Sequence, residues 1–148
     1  MNFDNARALD RVAFNGCPPL ASYSLSSLDE TAVCIGDIFQ AGSAVIQISQ
    51  PRQPCATLAA RYGRDDMGKL VADSGRTGCY FRVIEEGIIE TGSTLILKEK
   101  DRHGIAVSFA NRIYHHDRKN REGIEKVLAI EALSASWRAS FINLREAL

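Results

Sequence analysis

No apolar run in this 148-residue chain approaches the roughly 20 residues that a membrane span requires. Neither sign of charge prevails. Lys and Arg number 18, as do Asp and Glu, so no net field recruits nucleic acid or an anionic membrane. Cysteine is confined to Cys17, Cys34, Cys55 and Cys79, and no two of them stand in the C-x-x-C spacing of a zinc site or thioredoxin motif. The opening residues, Met1 to Arg7, lack the basic-then-apolar order of a secretion signal, so a cytoplasmic location with reduced thiols is expected. The three histidines are His103, His115 and His116. On a helix the adjacent His115 and His116 rings point roughly 100° apart, which disfavours a shared metal and leaves a surface role as the expectation. Gly75-Arg76-Thr77-Gly78 lacks the Walker lysine and its spacing, which excludes a phosphate loop. No separated carboxylate pair marks a glycosidase, and no repeat or low-complexity tract is present.

What remains is the composition of an ordinary soluble globular domain, 45% apolar and 24% charged, with enough chain for one core. Residues 1 to 30 read as irregular, broken by Asn15-Gly16-Cys17-Pro18-Pro19. From Thr31 the pattern sharpens. Ala32 to Ile35 is apolar, Gly36-Asp37 is a turn, and Ile38-Phe39 leads through Ala41-Gly42 to a strand-like run from Ser43 to Ile48. Two short antiparallel strands are expected here. Asp65 or Asp66 is placed to cap a helix carrying Met67, Leu70 and Val71, with Gly75 as its stop. Tyr80 to Ile84 is a strand by propensity, followed by turns at Glu85-Glu86-Gly87 and Thr91-Gly92-Ser93 and by a further strand from Thr94 to Lys100.

The last third is helical in period. Phe109, Ile113 and Tyr114 share a face, as do Ile124, Val127 and Leu128. Arg118-Lys119-Asn120-Arg121 reads as a solvated link between them. Ser134 or Ser136 is placed to cap a third helix, with Trp137, Phe141, Leu144 and Leu148 as a core stripe. Three such helices bury little surface alone, so the module is expected to dock on the β part.

The chemically richest stretch is Ser49-Gln50-Pro51-Arg52-Gln53-Pro54-Cys55. Two prolines read as a stiff loop between the strand and a helical run from Ala56 to Tyr62 that stops at Gly63. Pro54 suits a first helical turn, which would set Cys55 near unpaired N–H groups, the positive end of the dipole and Arg52. These features favour thiolate, able to bind a soft metal or act as a nucleophile. The plainer reading is a small apolar residue packed beneath a loop.

Cys34-Ile35-Gly36-Asp37, the Gln50 to Cys55 loop and the segment Gly75 to Gly87 together resemble the MOSC domain, named for the C-terminal domain of molybdenum cofactor sulfurase. Ala132-Leu133-Ser134-Ala135-Ser136-Trp137-Arg138 resembles the three-helix module of its small stand-alone bacterial branch. The resemblance runs from about Leu28 to the C-terminus. It implies an α+β fold: a partial β-barrel with inserted helices over residues 1–104, then a three-helix module over 105–148. It further implies that Cys55 is the molybdenum ligand and a catalytic residue, with Arg52, and more weakly Arg82, as cofactor-binding cations. The implied cofactor is Mo-molybdopterin, and the family also carries an association with pyridoxal phosphate. Implied activities are reduction of N-hydroxylated compounds, with an electron-donor protein, or sulfur transfer. A persulfide carrier on Cys55 without metal, or a non-catalytic remnant, are the alternatives. The family's Gly-Glu-Asn-Leu segment has no counterpart near Tyr23-Ser24-Leu25, and the first barrel strands are expected to be missing or altered. Unpaired edges, and through them a homodimer, are the expected result.

Overall fold

The computed structural model describes residues 29–54, 59–60, 62–90 and 92–148, together with the backbone of residues 12–13. Six strands and four helices are placed: β1 Val12–Ala13, β2 Ile38–Ala41, β3 Ala44–Pro51, α1 Met67–Ser74, β4 Cys79–Glu85, β5 Ile88–Ile89, β6 Leu95–Glu99, α2 Val107–His115, α3 Arg121–Leu128 and α4 Ala135–Glu146. Ala59, Ala60 and Tyr62 are also helical. The fold is α+β, as expected. Among the described residues the strands form an open antiparallel sheet in the order β4-β3-β2-β6, beside a two-stranded β1-β5 piece, and not a closed barrel.

The β2–β3 hairpin forms because apolar residues alternate along both strands and Gly42, at φ 57°, turns the chain. Phe39, Ala41, Ala44, Ile46 and Ile48 face the core. Two sequence expectations are corrected. First, β3 does not stop at Ile48. It continues to Pro51, which pairs in register with Cys79. A proline is tolerated at a strand end, and the register shift between Ile48 and Gln50 leaves Ser49 as an extra, bulged residue. Second, residues 12–13, read as irregular, pair antiparallel with β5. The rest of the reading for residues 1 to 28, including Tyr23 to Leu25, lies outside the described residues.

The Gly36-Asp37 turn has a structural explanation. Asp37 is buried, and its carboxylate accepts from the Cys34 N–H at 3.0 Å and the Asp101 N–H at 2.9 Å. Gly36 sits at φ 100°, and a Cβ there would lie 2.4 Å from Asp101 Oδ2. Only glycine fits both the dihedral and the approach.

The Ser49 bulge is also where the helices attach. Its carbonyl accepts from the Ser134 N–H at 3.0 Å. Ser134 caps α4 by accepting from the Trp137 N–H at 3.2 Å. Ser136 Oγ donates to Gln50 Oε1 at 3.1 Å. Trp137 and Phe141 stack at 5.6 Å between centroids and join the same core as Ile46 and Ile48. Leu148 falls beyond the end of α4 and is exposed, unlike the rest of its expected stripe. Asp66 occupies the N-cap position of α1 without capping it, because Arg64 engages both of its carboxylate oxygens, at 3.0 and 2.8 Å. Gly75 ends that helix at φ 70°, as expected.

Candidate functional site

The two loops that carry the family motif meet at one end of the sheet. Beyond Pro51, the Arg52 N–H donates to the Gly78 carbonyl at 2.9 Å. Gly78 in turn donates from its N–H to Glu30 Oε1 at 2.8 Å. The Glu30 carbonyl accepts from the Ser108 N–H in the first turn of α2. Thr77 Oγ1 donates to the Gly78 carbonyl and accepts from Asn111 Nδ2 at 2.6 Å. Backbone and side chain thus fix the Arg76–Gly78 loop against α2, and the Arg52 segment rests on that loop.

Asn111 is 2% exposed, yet its Oδ1 has no hydrogen-bond partner among the described residues. His115 lies one turn further along the same helix face, and its Nε2 is likewise buried with no partner among the described residues. Orphaned buried polar atoms are uncommon in folded proteins and call for a specific cause. Burial, then the nearby His116 and Arg118, pushes the His115 pKa below the usual imidazole value, which favours the neutral ring.

At His115 opens a cleft of about 480 Å³, lined also by Pro54, Gly68, Lys69, Ala72, Asp73 and His116. His116 Nε2 stands 3.6 Å from Asp73 Oδ1 at its rim. Pro54 is the residue that precedes Cys55 in the chain. Cys55 itself lies outside the described residues, as does Cys17.

Of the other sequence candidates, Arg52 is half-buried at the end of β3. Arg82 is exposed on β4, and its guanidinium reaches Gln47 Oε1 and the Ala132 carbonyl, both at 3.4 Å. The two described cysteines are poor nucleophiles. Burial raises the Cys79 pKa to about 12, with Glu30 adding to the effect. Burial, followed by Asp37, raises that of Cys34. Lys69, Asp73 and Asn111 escape sequence reasoning, because Pro54, α1 and α2 are distant in sequence. The sole local clue is an amide side chain on the apolar face of α2, between Ala110 and Ile113.

Comparison with known proteins accords with this layout. Residues 22–95 match the MOSC domain model, and residues 105–146 match the YiiM-like, 3-alpha helix domain. The uncharacterized protein YflK of Bacillus subtilis is 46% identical over 143 residues, covering 97% of this chain and 62% of YflK. The crystal structure of YiiM from Geobacillus stearothermophilus superposes with a TM-score of 0.78 at 42% identity, covering 80% of this chain and 61% of that one. A protein of Gibberella moniliformis named Reductase is 36% identical over 76 residues, which is 51% of this chain and 14% of the fungal protein. The chain therefore spans about three fifths of YflK and of the Geobacillus YiiM. With its motif loops, its sheet and its helical module all matched, the chain belongs to the MOSC domain family and carries a YiiM-like three-helix domain behind it.

Proposed function

We propose that this chain binds the molybdenum cofactor, with the Cys55 thiolate as the protein's ligand to the metal. The reading rests on the family match over residues 22–95, which includes the Cys55 loop, and on the cleft that opens at Pro54. A single soft thiolate suits a metal whose remaining ligands arrive with an organic cofactor. The cleft lies within the common size range for small-molecule sites, about 300–1,000 Å³. Lys69, in its lining, and Arg52 are the cations suited to a pterin phosphate. His115, in the cleft lining, offers a ring nitrogen that has no partner among the described residues. Arg82 is the weaker cofactor contact, being exposed and already turned toward Gln47 and Ala132.

When bound, molybdenum supplies two-electron redox chemistry. The setting is reduction of N-hydroxylated compounds with electrons from a donor protein, or transfer of sulfur. The name of the fungal relative, Reductase, favours the first. In this reading the open sheet is an arc of a barrel wall.

Metal and sulfur analysis of the purified protein tests the proposal. Near-stoichiometric molybdenum that disappears in Cys55→Ser is the expected result. Labile persulfide on Cys55 without molybdenum would replace it with a sulfur carrier. Neither would leave a non-catalytic remnant.

A further inference from the structure

Every described glycine but one has a visible structural reason to be glycine. Of the ten, nine either hold a positive φ or would drive a Cβ to 2.4 Å or less from a neighbouring atom. Gly68 does neither. It lies in the first turn of α1 without a positive φ. The nearest described atom to a Cβ placed on it is Pro54 Cβ, at 3.9 Å, an ordinary van der Waals distance. Among the described residues, then, alanine would fit and would gain a contact. It would also form the helix better, because glycine loses more backbone freedom on folding.

What a methyl there would cost is space in the cleft. Gly68 is part of its lining, and Ala72, one turn further along α1, is another part. The wall that α1 gives the cleft is therefore close to bare backbone, flanked by Lys69 and Asp73. A Cβ on Gly68 would reach contact distance of Pro54, where the chain continues into Cys55. Glycine is the residue that lets a bound molecule approach a helix backbone closely. We propose that Gly68 is a specificity-determining residue, which keeps the cleft open at its Pro54 end so that the bound molecule lies against the backbone of α1. Only the identity of that molecule rests on the molybdenum reading above. A glycine kept for clearance has a distinctive signature: filling it improves the fold and impairs binding at once. A glycine kept for packing does the reverse to the fold.

Gly68→Ala and Gly68→Leu in the full chain test this. Without cofactor, Gly68→Ala should melt about 1–3 °C above the parent. Affinity for molybdenum cofactor released from a purified molybdenum enzyme should fall by about tenfold in Gly68→Ala and further in Gly68→Leu. Access to the Cys55 thiol is read separately in the chain without cofactor, by peptide mapping after brief alkylation. Gly68→Leu should slow a bulky maleimide at Cys55 by about tenfold and leave iodoacetamide within about twofold of the parent. Both reagents react with the thiolate, so the ratio of the two rates reports space and not acidity. A parent that takes up no molybdenum would defeat the cofactor reading alone, and the rate ratio would still decide the role of Gly68. A lower melting temperature in Gly68→Ala would overturn the proposal, as would a rate ratio that Gly68→Leu leaves unmoved.

Discussion

The strands after residue 78 and the helices after residue 106 reach different degrees of burial. No residue of β4, β5 or β6 is fully buried. By contrast α2, α3 and α4 bury Val107, Ala110, Ile113, Ile124, Val127, Trp137, Phe141 and Leu144. A helix needs one apolar stripe against one partner. A strand has two faces and two edges, and it is buried only where neighbours cover all four. β3 has three of them, with β2 and β4 on its edges and the helices on its inner face, so it alternates between buried and half-buried residues as far as Ile48. The three short helices, which bury little alone, thus supply a large part of the common core.

The sharpest test of that contrast is Trp137→Ala. The indole is 2% exposed and stacked on Phe141, so its loss should cost about 3–5 kcal/mol in chemical denaturation. A cost below about 1 kcal/mol would mean that the helices do not carry the core. Next in size is the alkaline response of the strand side. The folded Cys79 thiol holds its proton to about pH 12, whereas the unfolded thiol releases it near 8.5. The unfolded state then binds fewer protons above that pH, so stability is unaffected below it and declines as pH rises toward 12. Melting temperatures of the parent and Cys79→Val should diverge above about pH 8.5, with the parent falling faster. Ser134→Ala removes the α4 cap and should cost about 1 kcal/mol, checked by thermal unfolding. The smallest effect is expected on the outer sheet. Ile84→Thr, at a position 48% exposed, should stay within about 0.5 kcal/mol of the parent.

The local signals were the legible ones. The Gly75 stop, the cap at Ser134, one of two serines placed for it, and the stripe from Trp137 through Leu144, though not Leu148, depend on residues a few positions apart. The end of β3 was not legible, because a strand that absorbs a bulge and finishes on proline looks like a loop from within its own window. The Asp66 cap failed to form for a similar reason: Arg64, two residues away, competes for the same carboxylate. At the candidate site the loop motifs were visible, but the Thr77–Asn111 contact joins residues 34 positions apart and has no periodic signature. Nor does the approach of α1 and α2 to Pro54.

The bond from Ser134 N–H to the Ser49 carbonyl gives a means of watching one motion alone. It belongs to neither the strand ladder nor the helix. Its amide therefore exchanges with solvent deuterium when α4 and the bulge separate, even if sheet and helices each stay intact. Amides inside α4, such as that of Arg138, bonded to the Ser134 carbonyl, wait for the helix itself to open. A Ser134 amide that exchanges faster than Arg138 would show the helical module lifting from the sheet as a unit; equal rates would mean that the two come apart only when the chain unfolds.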